Sequence, residues 1–287
     1  MSRNANPRPL KQLDEWQDFI EGKVYPIPGE KQTLDYRNYD DSASNGVRDF
    51  YCLNHRYQTY KSVLSKEQEF LRCHRRTMSI FEAIDYLDLL VDESDPDMEL
   101  SQLQHLLQTS EAIRAQGHED WFVLVGLLHD IGKLLCLFGE PQWAVVGDTF
   151  PVGCRHSENI VYAEFFADNP DSHDERYNSK LGIYREGCGL KNVHLSWGHD
   201  EYMYQRMKDY LPEPALYMIR YHSFYAWHRE NDYDYLCDDH DREMLLWVKK
   251  FNQFDLYTKC ANPVPWNALR PYYEKLVDKY LPEKLLS

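Results

Sequence analysis

The stretch DWFVLVGLLHDIGK, residues 120–133, decides the fold. Apolar residues fill its turns, so it reads as a helix running over 120–137, with Asp120 placed to cap it. His129-Asp130 lies near the end of that apolar run. Burying an unpaired charge there costs several kcal/mol or more, roughly, so something must compensate the pair. A metal cation does so directly, and neutral imidazole with carboxylate suits iron, manganese or zinc. A satisfied core histidine followed by a helix-end aspartate is the alternative, and the dipeptide alone does not choose between them.

Working outward, helical patterns cover residues 47–64, 70–91, 100–116, 157–168, 194–210, 213–226 and 239–260, with a last helix from 271 to 280. Residues 138–158 are rich in Gly and Pro and read as loop, and 169–193 are polar and irregular. No alternating run is long enough to force a sheet, and no repeat of fixed period is present. The fold class is therefore all-α, in one main domain. Residues 1–48 are polar with Pro and Gly clusters. They read as a tail, 1–32, expected to be disordered or a partner contact, then an arm packed on a helical domain that spans 33–287.

His-Asp occurs four times, at 129, 173, 199 and 240. The pairs at 173 and 240 sit in polar text (NPDSHDERY, CDDHDRE) and read as solvated surface. The pair at 199 lies among aromatic and apolar residues, in LSWGHDEYMY. Three further residues are embedded in apolar helices: His105, His222 and Asp255. Each alone reads equally as a core histidine or a helix-surface aspartate. Together they give the order H…HD…H…H…D. Four histidines and two aspartates suffice for two metals, roughly 3.5–4 Å apart, if one carboxylate bridges, and Asp130 is the natural bridge. Lys133 follows one helical turn after the dipeptide. It reads either as an ammonium beside bound substrate or as a helix-end cation balancing the dipole.

Composition excludes several classes. Hydrophobic residues make up 43% of the 287, enough for a sizeable core. A net charge of −15 argues against nucleic acid or an anionic membrane as partner. No apolar run reaches the roughly 18–20 residues that span a bilayer, and the N-terminus has no apolar signal core, so a cytoplasmic location is expected. Seven scattered cysteines without a CxxC pair read as reduced thiols.

The wider text is specific. DYRNY at 35–39, LVDESDPD at 90–97, the 120–133 stretch, GEPQWAVVGDTFPVGC at 139–154, SWGHDEY at 196–202, MIRYHSFYAWH at 218–228 and FNQFDLYTK at 251–259 resemble the myo-inositol oxygenase family, a branch of the HD-domain metalloproteins. The resemblance covers residues 33 to about 283. It implies an HD-domain-like helical bundle with a di-metal site in its core and an N-terminal arm or lid. It also implies two iron ions per chain, mixed-valent Fe(II)/Fe(III) in the active state. One iron would be held by His105, His129, Asp130 and Asp255, and the other by Asp130, His199 and His222. Such a set is rich in His and poor in carboxylate, which would favour keeping one iron ferrous.

The implied reaction is ring cleavage of myo-inositol by O2 to D-glucuronate and water, the first step of inositol catabolism. Lys133 and Asp130 would be catalytic. Arg37, Asp92, Glu93, Ser94, Lys133, Gly147, Asp148, His222, Ser223 and Lys259 fall where the family binds substrate, and Tyr51 where it lines the pocket. Without the resemblance, Asp92 and Asp148 would be ordinary loop carboxylates. The expected partners are myo-inositol and O2, with no nucleic acid and no membrane, and the expected state is a monomer. The competing readings are a metal-dependent phosphohydrolase on the same scaffold and a non-catalytic metal-binding protein.

Overall fold

The computed structural model describes residues 45–72, 77–94, 101–257 and 264–284. Arg37, Lys259, the tail and most of the arm lie outside the described residues. Helices dominate: α1 (Asn45–Tyr57), α2 (Tyr60–Arg72), α3 (Ile80–Leu87), α4 (Gln102–Ala115), α5 (Asp120–Leu128), α6 (His199–Met207), α7 (Glu213–Tyr221), α8 (Tyr225–His228), α9 (Asp239–Tyr257) and α10 (Trp266–Tyr280). No strand forms among the described residues. One isolated antiparallel bridge, Pro151 to Leu195, ties the loop after α5 to the segment before α6.

Several expected boundaries move, each for a local reason. The helix expected over 47–64 is two, because the Thr59 hydroxyl accepts from Ser62 N (3.1 Å) and starts α2 afresh. Gln58, at the break, exchanges two hydrogen bonds with the Trp197 backbone (2.7 and 3.0 Å) and so pins the approach to His199. Of the helix expected over 70–91, the structure gives the end of α2 and then α3, which opens on a reciprocal Ser79/Glu82 capping box. The expected 157–168 helix is turn followed by a short 3₁₀ segment, Ala163–Asp168.

The decisive stretch also changes character. α5 ends at Leu128, and a 3₁₀ segment, Ile131–Phe138, continues it. The switch falls at His129-Asp130, with Asp130 at φ −98°, ψ −4°. Asp120 does not cap α5. Glu119 holds the cap position without a side-chain bond, and Asp120 instead pairs with Lys279 of α10 at 2.6 Å. Contrary to the sequence expectation, the 19-residue run Asp120–Phe138 has the length and composition of a membrane span. Its window is 72% buried inside the protein, as the central helix of this core.

Around α5 the bundle closes. α4 lies against it, with α7 and α10 on other sides; α9 packs on α4 and α7, and α6 packs on α7 and the 3₁₀ segment. Two glycines permit the closest approaches. A Cβ on Gly126 would lie 2.9 Å from the Ser110 backbone, so α4 and α5 touch main chain to main chain. A Cβ on Gly132 would fall 2.3 Å from the His199 carbonyl, so α6 begins directly on the 3₁₀ segment. These contacts bring the ends of α5, α6 and α7 to one point in the core.

Candidate metal centre

His129 and His222 are the residues that close α5 and α7, and His199 is the first residue of α6. A helix C-terminus carries partial negative charge, so two of these positions favour a cation. His105 comes from the second turn of α4 and Asp255 from the last turns of α9.

Three of the four imidazoles are oriented by backbone carbonyls. Nδ1 of His129 donates to Gly126 O (3.0 Å), that of His199 to Val145 O (2.8 Å) and that of His222 to Ile219 O (3.0 Å). Each Nε2 is therefore the ring face left to hold a metal, and these faces converge. His105 Nε2 and His129 Nε2 are 3.2 Å apart, and His199 Nε2 and His222 Nε2 are 3.3 Å apart.

Asp130 stands between the two pairs, its side chain 4% exposed. Its Oδ2 lies 3.4 Å from both His105 and His129 Nε2. Its Oδ1 lies 3.3 Å from His199 and 3.4 Å from His222 Nε2. Asp255 Oδ1 faces the first pair at 3.0 and 3.2 Å. Lone pairs and carboxylate oxygens packed this closely need positive charge between them. His105-His129-Asp130 and Asp130-His199-His222 form two groups able to hold a metal ion. The imidazole and carboxylate donors fit iron.

With no metal ion between them, the carboxylates draw protons onto the rings instead. Burial disfavours an imidazolium, yet Asp130 and Asp255 outweigh it at His129, and Asp200 with Asp130 at His199, pushing each up to about 10. Burial opposes the Asp130 carboxylate too, but the Lys133 ammonium and His129 hold it well below the usual range. At His105 burial prevails and the pKa falls.

Lys133 Nζ bridges Asp130 Oδ2 (2.8 Å) and Asp92 Oδ2 (2.9 Å). The two carboxylates overcome burial and keep it an ammonium. Asp92 Oδ1 accepts from both the Ser94 hydroxyl (2.6 Å) and Ser94 N (2.9 Å). Glu93 differs: its side chain is exposed, and its backbone N donates to Gln142 Oε1 (2.9 Å). On the other flank, the Tyr51 hydroxyl donates to Asp148 Oδ1 (3.2 Å), and Thr149 N donates to Ser223 O (2.9 Å). Gly147, at φ +93°, turns the chain beneath Asp148, where a Cβ would press on Phe50. All the sequence-selected residues within the described chain thus gather around Asp130 or on these two flanks, with Glu93 turned outward.

Sequence reasoning missed Asp200, Thr149 and Gly132. Asp200 is 2% exposed and places Oδ1 2.7 Å from His199 Nε2 and 3.3 Å from His222 Nε2. Its Oδ2 accepts from the Thr149 hydroxyl at 2.6 Å. Three aspartates thus face the four imidazoles. The available signal was that 199–200 repeats the His-Asp dipeptide of 129–130 in a similarly apolar setting. The pair at 240 is also corrected: Asp241 is not solvated surface but 1% exposed.

Fold and centre define an all-α, HD-domain-like bundle whose core presents a His/Asp cluster able to hold metal. The family model of myo-inositol oxygenase matches residues 44–286. Inositol oxygenase from Homo sapiens is 53% identical over 258 residues, 88% of this chain and 90% of that protein. The Danio rerio inositol oxygenase is 48% identical over 259 residues (88% and 93%), and that of Dictyostelium discoideum 46% over 265 (89% and 90%). The chain belongs to the myo-inositol oxygenase family.

Proposed function

We propose that this enzyme cleaves the ring of myo-inositol with O2, giving D-glucuronate and water, at a pair of iron ions held by His105, His129, His199, His222, Asp130 and Asp255. The observation that carries this reading is the division of Asp130, one oxygen toward each histidine pair. Family membership supports the substrate. Iron bound there supplies Lewis acidity toward a substrate hydroxyl and electrons for O2.

The protein's own groups do the rest. Lys133 holds a proton at Nζ and, tied to Asp92 and Asp130, stabilises negative charge developing on a hydroxyl oxygen rather than acting as a base. Asp92, Asp148 and Ser223 offer acceptors and a donor to a polyol. Tyr51 fixes Asp148 by its hydroxyl, and Ser94 fixes Asp92.

Phosphate-ester hydrolysis on the same scaffold would call for free cations around the centre. Lys133, the ammonium seated against Asp130, is already shared between two carboxylates.

Oxygen uptake by iron-loaded, partly reduced protein should require myo-inositol and match glucuronate formed. No uptake from protein carrying two irons per chain would sink the proposal, and phosphate release from ester substrates would replace it. Lys133→Ala should keep the iron and lower turnover by roughly a hundredfold. Unchanged turnover would leave Lys133 a helix-end cation.

A further inference from the structure

We infer that Thr149 is a positioning residue for the substrate: its hydroxyl and its own N–H hold Asp148 and Ser223, which come from separate segments, at one fixed spacing. This rests on the reading of the centre as a site for myo-inositol.

Residues 145–149 form a strap beside the centre that is tied at both ends. At its start, Val145 O accepts from both the N–H and the Nδ1 of His199, each at 2.8 Å. In the middle, Gly147 turns the chain at φ +93°, and Asp148 follows with its Oδ1 accepting from the Tyr51 hydroxyl at 3.2 Å. At the far end, Thr149 N donates to Ser223 O at 2.9 Å, and the Thr149 hydroxyl donates to Asp200 Oδ2 at 2.6 Å.

The two ties differ in kind. The Val145 tie uses a backbone carbonyl and does not depend on the residue at 149. The Thr149 tie joins three segments: the strap, the first turn of α6 through Asp200, and the turn after α7 through Ser223. A hydrogen bond to a buried carboxylate is short, strong and directional, so this hydroxyl sets how the strap seats on α6. The Ser223 hydroxyl makes only 3.4 Å contacts, to His199 Nε2 and Asp200 Oδ1, which leaves it open to a polyol. Its place is set instead by its carbonyl, through Thr149 N. A polyol engages several groups at once, so the spacing of Asp148 and Ser223 decides how many it meets together. Thr149 itself does not face the substrate, because its hydroxyl is committed to Asp200.

The test measures myo-inositol binding by equilibrium dialysis of the full-length, iron-loaded protein kept free of oxygen, beside KM and kcat from oxygen uptake. Thr149→Val keeps the side-chain shape and loses the hydroxyl. Its Kd and KM should rise about tenfold, with kcat and bound iron within about twofold of wild type. Thr149→Ser should bring Kd and KM back to within about twofold. A wild-type Kd in folded Thr149→Val would overturn the inference. So would a loss that Thr149→Ser fails to restore, because packing of the methyl and not the hydroxyl would then set the site. Iron lost in step with affinity would overturn it as well, making Thr149 a support of the metal centre. If Thr149→Val does not fold, Thr149→Ala decides: a water can then satisfy Asp200 Oδ2 while the strap stays untied, and the same loss of about tenfold is expected. Iron-loaded wild type that binds no myo-inositol would instead overturn the substrate reading itself.

Discussion

Two buried aspartates, each preceded by a histidine in sequence, sit in opposite electrostatic situations. Asp241, at the start of α9, is 1% exposed and saturated with hydrogen-bond donors. Tyr217 donates its hydroxyl at 2.7 Å, Leu190 its N–H at 2.8 Å and Asp238 its N–H at 2.9 Å. Asp130 receives Lys133 and otherwise faces the converging Nε2 atoms of four imidazoles, three of which bond backbone carbonyls through Nδ1. Burial is common to both, so burial does not mark a functional carboxylate. What marks it is the partner: N–H and O–H groups make a finished structural site, whereas converging lone pairs make a site that asks for a cation.

The largest effect should come from Asp130→Ala. Removing the carboxylate shared by the two histidine pairs should abolish spin coupling between bound irons and lower turnover by roughly a hundredfold or more. Spin-coupled iron in that variant, seen by electron paramagnetic resonance or Mössbauer spectroscopy, would break the contrast, because Asp130 would then be no bridge. Next comes Gly132→Ala. Its methyl would lie 2.3 Å from the His199 carbonyl, a backbone atom that moves only with α6. The expected cost is about 1–3 kcal/mol of stability, with one of two Fe(II) ions bound more weakly in an anaerobic titration of the apo-protein. A variant with unchanged melting temperature and metal affinity would show that α6 can slide.

Asp241→Ala should act the other way round. Leaving three donors unmet in a buried place costs about 1–3 kcal/mol, so melting falls by several degrees. Iron stoichiometry and affinity should be unchanged. Lost metal in a folded Asp241→Ala protein would erase the distinction between the two kinds of buried carboxylate.

The helical class was legible from periodicity, and so was the apolar setting of His105, His129, His222 and Asp255, because each lies inside its own hydrophobic run. What sequence hid depends on distant partners. Asp241 lies in CDDHDRE, which reads as surface, and its burial comes from Leu190 and Tyr217, far off in the chain. Asp200 was passed over because only its histidine was weighed, although the dipeptide recurs in apolar surroundings. The break between α1 and α2 depends on Thr59 capping and on Gln58 being claimed by Trp197, a contact 139 residues away. The role of Gly132 is visible only once α6 is seen resting on it.

The smallest expected effect concerns histidines that hold no metal, and it sharpens the same contrast. The ring of Phe166 is sandwiched between His55 (centroids 4.1 Å apart) and His156 (3.9 Å). Among the described residues, no carboxylate contacts either ring as Asp130 contacts the centre. Burial pushes His55 down to about 4, against a bond to Val161 O and the more distant charges of Asp148 and Glu164. Burial and the neighbouring His55 push His156 down to about 3. Both are below the ordinary value of 6.5, so the folded state resists protonation and the unfolded state accepts it. Stability is therefore full above pH 6.5 and declines as pH falls toward 4 and 3. Between pH 7 and 6 each ring should contribute a loss of roughly 1 kcal/mol. His156→Phe, which retains an aromatic ring in the stack, should remove its share of that slope in denaturant unfolding of the metal-free protein. A wild-type slope surviving in His156→Phe would place the acid sensitivity at the other histidines that burial pushes down, His55 and His118, each to about 4, and not at this ring of the sandwich.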